Sequence, residues 1–480
     1  MKRHVRQAVV IVHGMGEQRP LETLSEFIGA ALEADGGGRR LFYSRPDQVV
    51  DSYESRRYLA PVAHNAAGEV RAQTEFFEYH WAHLMQGNRL DDLWPAFRRM
   101  LLAPPWYVPA GLRIVWAIFW ALLIAGVILF LSVKPSLGFD LTTITLGDFL
   151  KAIVGGGLTA VALTYIVTRW LPSWLTSSFV DVVRYLDTSP RSYQVRRDIR
   201  AGIVDLLEGL HADGRYQRII IVAHSLGSYI AYDAISYLWG QMDKLHSGPV
   251  RPDVDEPEQG DQPVGLAELE GAASALTDES DVAAYQQAQR RMWLGLRAQG
   301  NPWLITDLLT FGSPMYMADR IYTRDRRKFD ERVSRRELPT CPPQHELLER
   351  NNVNHQLLWF SWNNRGRRVL YHAAPFAVVR WTNAWFPAHF GFFGDWFGGP
   401  LRPLFGNGIL DRPLLANGWK TRIPAYAHAL YYHFQGDEHR EESVTCRLRE
   451  AMALAATEWL RPTLEAPPPD PRSGLRPEVT

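Results

Sequence analysis

Ala8–Val12 (AVVIV) is five consecutive apolar residues ending at His13-Gly14-Met15-Gly16, the pattern of a buried strand that runs into a glycine-rich turn. The period then changes. Leu21, Leu24, Phe27, Ile28, Ala31 and Leu32 recur at helical spacing over 21–34, and residues 74–81 (TEFFEYHW) predict another strand. Over 192–212, Ile199, Ile203, Leu206, Leu207 and Leu210 fall on one face of an amphipathic helix. Arg218–Ala223 (RIIIVA) is a second buried strand; it meets His224-Ser225-Leu226-Gly227 and then a predicted helix over 228–238. Leu308–Phe311, followed by Gly312-Ser313-Pro314, and Ala377–Trp381 (AVVRW) continue the series. Short apolar strands alternating with helices predict an α/β fold, a mostly parallel sheet with helices on both faces.

Two apolar stretches break that rhythm. Ile114–Val133 is twenty residues without a charge, long enough as a helix to cover about 30 Å, the thickness of a bilayer core. Ala152–Thr168 is shorter and carries three glycines and three threonines, which suit close helix packing. Trp106 and Tyr107 precede the first stretch and Trp170 and Trp174 follow the second, as an aromatic belt would. The pattern predicts a transmembrane hairpin inserted at 98–175, with a one-leaflet loop as its alternative. Arg98, Arg99, Arg113, Arg169 and Arg184 lie outside it, whereas the connecting loop holds Lys134 and Lys151 near its ends. That bias places the flanks on the cytoplasmic side of an inner or plasma membrane. The basic start, Met1 to Gln7, leads into too short an apolar run for a signal peptide.

The remaining stretches read as additions to the sheet. Residues 247–299 combine a Pro- and Asp-rich loop with a helical patch at 279–298, residues 323–369 form a charged surface insertion, and 461–480 is a proline-rich disordered tail. The core is then discontinuous: 1–97, 176–246, 300–322 and 370–460. Composition narrows the partners. Lys+Arg and Asp+Glu both total 52 in 480 residues, so the basic excess of a nucleic-acid binder is missing. Two cysteines exclude a disulfide framework. No Gly-x-x-x-x-Gly-Lys or His-Glu-x-x-His segment occurs, and no cofactor or metal is implied. His80 and His83, three apart on a strand pattern, are expected to point to opposite faces.

Ser225 carries the chemistry. A serine between a buried strand and a helix sits at a sharp turn whose second neighbours must be small, and Ala223 and Gly227 are. The helix that starts there offers free N–H groups to a developing oxyanion. The N–H groups of Leu226 and of Met15, from the neighbouring strand end, are the candidate donors. His224 is a packing or hydrogen-bonding neighbour rather than a base, because adjacent residues at a strand end point apart.

The strand with His13-Gly14, the stretch Ala223–Asp233 (AHSLGSYIAYD) and Thr310-Phe311-Gly312-Ser313-Pro314 resemble the α/β-hydrolase superfamily, in particular its lipase-like and esterase-like members. Alanine stands at 223 where the family motif has glycine. The resemblance implies the order nucleophile, acid, histidine. Asp395, in Gly-Asp-Trp-Phe-Gly-Gly-Pro, looks like the acid of related membrane hydrolases. His428, in Ala-His-Ala-Leu-Tyr-Tyr, looks like the base. Asp319 and Asp411 compete with the acid; Asp307 precedes its strand and should lie at the wrong end of the sheet. His433 and His439 compete with the base, and His389 breaks the order. The implied activity is a membrane-anchored serine hydrolase for an apolar, lipid-like carboxylic ester, with the bilayer as its partner. An acyltransferase with the same triad and a silent scaffold are the alternatives.

Because strands from both sides of 98–175 must share one sheet, the chain crosses a bilayer twice or not at all. Cysteines placed at Ser136 and Thr143 should react with an impermeant maleimide from the face opposite residues 176–480. Reaction only after the membrane is opened would leave a monotopic anchor.

Overall fold

The computed structural model describes residues 6–14, 21–31, 43–46, 56–60, 73–85, nine positions between 104 and 124, 185, 190–242, 263–277, 281–323, 325–350, 354–359, 361–364, 367–388, 394–414, 424–429 and 431–432. The strands are β1 (Arg6–Val12), β2 (Tyr43–Pro46), β3 (Arg56–Ala60), β4 (Gln73–Tyr79), β5 (Arg218–His224), β6 (Ile305–Phe311), β7 (His345–Arg350), β8 (Asn354–Trp359), β9 (Ser361–Asn364), β10 (Arg367–Leu370), β11 (Arg380–Trp385) and β12 (Leu410–Pro413). Eight of them form one sheet in the order β12-β11-β6-β5-β1-β4-β3-β2. The run from β12 to β4 is parallel throughout, and β3 and β2 add antiparallel at the edge. The chain belongs to the α/β class. The remaining strands pair as two antiparallel hairpins, β7–β8 and β9–β10.

Alternation along the central strands builds two cores. Ala8, Val10, Val12, Ile219, Ile221, Ala223 and Leu308 face one side, with α2 (Pro190–Ala212), α3 (Gly227–Gln241), α4 (Leu266–Ser274) and α5 (Val282–Ala298). Val9, Ile11, Ile220, Val222, Leu309 and Phe311 face the other, against Leu24, Phe27 and Ile28 of α1 (Glu22–Ala31) and Tyr431 and Tyr432. Each central strand is therefore apolar on both faces, which is why it reads as an unbroken run. The five apolar positions expected on one face of α2 are all buried in the first core.

The order places β5 on the opposite side of β1 from β4, so the two flanks of the sheet diverge between β1 and β5. In open parallel sheets the crevice at such a switch point, beyond the carboxyl ends of the strands, is where sites form. The register pairs Val12 with Ala223, which brings Gly14 and Ser225 side by side just past both strand ends.

Two expected boundaries shift. The apolar run 377–381 is not itself a strand: Pro375–Ala377 is a 3-10 turn and β11 starts at Arg380. Side chains of α5 hold that turn's carbonyls, with Gln289 Nε2 donating to Phe376 O at 2.7 Å and Val379 O at 3.0 Å, and Tyr285 OH donating to Phe376 O at 3.0 Å. The charged stretch 323–369, expected at the surface, also enters the core. Beyond α6 (Ala318–Ile321), Phe329 of α7 (Arg326–Ser334) and Leu338 are buried, and Cys341 is fully so, its N–H donating to Phe405 O and its carbonyl accepting from Gly408 N, both at 2.7 Å. The helical patch expected at 279–298 is α5.

The apolar runs 114–133 and 152–168 lie mostly outside the described residues. Arg113, Trp116, Ala117, Trp120, Ala121 and Ile124 are helical. Among the described residues, no helix is long and apolar enough to cross a membrane. The loop at 248–262 and the tail 461–480 are likewise outside them.

The amino end of the sheet is polar. Arg380 Nη2 pairs with Asp307 Oδ1 at 2.5 Å, and Arg218 Nε donates to Gln7 Oε1 at 2.8 Å. At the carboxyl end, Glu78 of β4 accepts the N–H of Leu21 at 2.5 Å, just ahead of α1. Burial, helped by the charges of Glu22 and Glu26, pushes the Glu78 carboxyl up to about 7 against the N–H groups of Leu21 and Leu24. A carboxyl raised in the folded state favours folding when protonated, so its contribution is full below the ordinary carboxylate range and is lost as pH rises through about 7. Glu78→Gln should therefore melt a few degrees above the wild type at pH 8, with the gap closing by pH 5. Equal gaps at both pH values would show that Glu78 does not titrate in this window.

Candidate active site

The turn between β5 and α3 is built by close approach. Ser225 has φ of 53°, the left-handed region that costs a non-glycine residue on the order of 1–3 kcal/mol. Its N–H donates to Phe311 O at 2.9 Å, so β6 holds the strained residue in place. A Cβ on Gly227 would collide with the carbonyl oxygen of Val12 and stand 2.7 Å from that of His13. A Cβ on Gly14 would lie 2.6 Å from His224 Nδ1 and 3.1 Å from Ser225 Cβ. Both glycines let the end of β1 touch the turn that carries the serine. The bonds inside α3 begin with Ser228 N donating to Ser225 O at 3.0 Å, so the helix makes no use of the Leu226 N–H. Met15, the other candidate oxyanion donor, lies outside the described residues.

Three residues far apart in sequence meet here. His428, in α9 (Pro424–Ala429), places Nε2 2.7 Å from Ser225 Oγ. Its Nδ1 lies 3.0 Å from both Oδ1 and Oδ2 of Asp395. A carboxylate on Nδ1 fixes the tautomer with hydrogen there, and leaves the Nε2 lone pair facing the serine hydroxyl. Ser225, Asp395 and His428 are all buried.

Asp395 reaches His428 because its loop folds back. The Asp395 N–H donates to Phe386 O at 3.1 Å, returning the chain to the end of β11. The carboxylate also accepts Phe397 N at 2.8 Å and Tyr431 OH at 2.6 Å. A Cβ on Gly398 would stand 2.6 Å from Asp395 Oδ2 and one on Gly399 2.6 Å from the Tyr316 ring, so the first glycine of the pair makes room for the carboxylate and the second for Tyr316. Burial by itself would raise the Asp395 carboxyl; the charge and hydrogen bond of His428, with the Tyr431 and Phe397 donors, outweigh it and hold the group below its usual range.

The competing acids have other roles. Asp307 sits near the amino end of β6 on Arg380. Asp411 accepts Asn383 Nδ2 at 2.7 Å, Leu401 N at 3.1 Å and Arg402 N at 2.9 Å, capping the short helix α8 (Arg402–Phe405). Asp319 lies on the short helix Ala318–Ile321, 3.9 Å from Arg320 Nε. His389, His433 and His439 lie outside the described residues.

His13 and Tyr431 contribute beyond their motifs. His13 accepts Trp81 N on Nε2 at 3.1 Å and donates from Nδ1 to Gly14 O at 2.8 Å, with its ring stacked on Trp81. Burial pushes its imidazole down to about 3, so it stays neutral and pins the exit of β1. Contrary to the strand expectation, His80 and His83 share a side, with rings stacked 5.7 Å apart, because β4 ends at Tyr79 and Ala82–Met85 turns as a 3-10 helix. The spacing of His428 and Tyr431 was visible in the sequence; the bond from Tyr431 to the acid was not.

No family model, curated protein or solved structure matches this chain.

A carboxyl held low in the folded state stabilises the fold above the ordinary carboxylate range, and the benefit fades as pH falls through its depressed value. Tyr431→Phe removes one donor to that charge and should cost about 1–3 kcal/mol in denaturant melts at pH 7. The part owed to Asp395 should shrink as pH falls below the ordinary carboxylate range and the carboxyl takes up its proton. A difference that does not shrink with falling pH would show that Tyr431 acts through the Phe386 N–H and packing rather than through the Asp395 charge.

Proposed function

We propose that the protein is a serine hydrolase that cleaves a carboxylic ester through an acyl-enzyme. The supporting observation is the continuous chain from Ser225 Oγ to His428 Nε2 at 2.7 Å and from His428 Nδ1 to Asp395 at 3.0 Å, mounted on a strained turn at a strand end. Ser225 Oγ attacks the acyl carbon as its proton passes to His428 Nε2. Asp395 stabilises the imidazolium that forms. The Leu226 N–H, unused by α3, is placed to receive the oxyanion, with a second donor assigned to Met15. His428 then returns its proton to the leaving alcohol, and water repeats the sequence to release the acid. The resemblance to lipase-like α/β-hydrolases seen in the sequence agrees with the order Ser225, Asp395, His428 along the chain.

Substrate and location follow from the two apolar runs. A chain with twenty uncharged residues beside its active-site elements suits a membrane-associated enzyme acting from the cytoplasmic side on an apolar, lipid-like ester.

Ser225 should label with a fluorophosphonate, and Ser225→Ala should abolish both labelling and esterase turnover while the melting temperature holds. Removing a triad member typically costs several orders of magnitude. Residual turnover above about 1% of wild type, or a wild type that fails to label, would rule out the serine acyl-enzyme.

A further inference from the structure

The residue before the nucleophile has no part in the proton relay, yet it touches the base. His224 Nε2 lies 2.8 Å from the backbone carbonyl oxygen of His428. A carbonyl only accepts, so Nε2 carries the hydrogen and Nδ1 carries the lone pair. Nδ1 faces the end of β1, where a Cβ on Gly14 would stand 2.6 Å away. The two imidazole rings are 5.0 Å apart and tilted by 38°, and the Tyr431 ring is 5.4 Å from that of His224.

We infer that His224 is a positioning residue, holding the His428 backbone at the strand end that carries Ser225 so that the base stays in register with the nucleophile. This rests on the triad reading above. The physical need is clear from where the base sits. His428 lies near the end of the six-residue helix α9. So short a helix does not fix its own position. Ser225 is instead fixed by β5, β6 and α3. The His224 N–H ties these two parts directly, one peptide from the nucleophile and at the base's own carbonyl. Displacing a reacting group by about 1 Å costs roughly 10²-fold in rate, so one hydrogen bond at this place has leverage. The imidazole also suits the position by staying uncharged: burial, with the neighbouring His428, pushes it down to about 3. A second cation beside the imidazolium that forms on His428 during turnover is thereby avoided.

The test compares variants that keep or lose the donor. His224→Phe keeps a flat ring without an N–H, whereas His224→Gln puts an amide N–H near the Nε2 position. The readouts are kcat and KM on a soluble ester, the rate constant of fluorophosphonate labelling at Ser225, and the melting temperature. His224→Phe should lower kcat and the labelling rate by about 10- to 100-fold with KM within about threefold. His224→Gln should recover to within about fivefold of wild type. If His224→Phe does not fold, His224→Asn serves in its place, since its shorter amide stops near the Nδ1 position and should be as slow as the ring-only variant was expected to be. A donor-lacking variant that labels and turns over at the wild-type rate overturns the inference, as does a His224→Gln no faster than the donor-lacking variant. Wild-type protein that does not label at Ser225 would instead overturn the triad reading itself.

Discussion

Everything at the site depends on how closely the end of β1 approaches the turn between β5 and α3. Gly227 lies against the Val12 and His13 carbonyls and Gly14 against the His224 ring, so no side chain fits at either position. That contact lets α3 start immediately after the serine and forces Ser225 into its left-handed conformation. The strain is sustained because the surrounding strands are buried on both faces and held in parallel register, with the Ser225 N–H bound to β6. A looser sheet would let the turn relax, and the hydroxyl would leave the reach of His428.

The other two residues arrive by longer routes, the Asp395 route closed by a backbone hydrogen bond and the His428 segment tied by side-chain bonds to backbone groups. The Asp395 loop returns to Phe386, and the carboxylate it delivers is then saturated by His428, Tyr431 and the Phe397 N–H. Tyr431 takes part twice, donating to Asp395 and accepting the Phe386 N–H at 3.1 Å. Asp395 is thus locked to the end of β11 and to the segment that bears His428. Buried carboxylates survive only when so paired, and here one of the partners is the imidazole that faces Ser225.

Much of this was legible in the sequence because burial on both faces leaves unbroken apolar runs. Such runs mark β1, β5 and β6, and with them the turns at His13 and Ser225. What stayed hidden depends on side chains that meet across the fold. The run at 377–381 has strand composition, yet Gln289 and Tyr285 bind the Phe376 carbonyl just before it, Gln289 also binds that of Val379, and β11 starts only at Arg380. The stretch around Cys341 carries strong surface charge, yet its backbone is captured by Phe405 and Gly408. His80 and His83 follow a strand pattern, but the chain leaves the sheet at Tyr79 and turns. Asp395 was legible through its place after the next strand and the resemblance of its Asp-x-x-Gly-Gly-Pro loop, whose Gly398 stands against the carboxylate.

The first apolar run begins against this same machinery. Val108 and Met317 form a small buried cluster, and Trp116, Tyr316, Ile321 and Trp396 pack on it. Tyr316 OH donates to Trp396 O at 2.6 Å, and Trp396 adjoins Asp395. The Arg113 Nε donates to Val108 O at 3.1 Å, fixing the chain just before the helical positions that follow. The start of the run and the loop of the acid are therefore packed as one unit. Packed side chains transmit displacement because interiors are nearly incompressible. Trp116, near the start of that run, shares a packed cluster with Trp396, one residue from the Asp395 carboxylate that meets His428 Nδ1. The packing thereby joins the start of the apolar run at 114–133 to the loop whose Asp395 contacts His428.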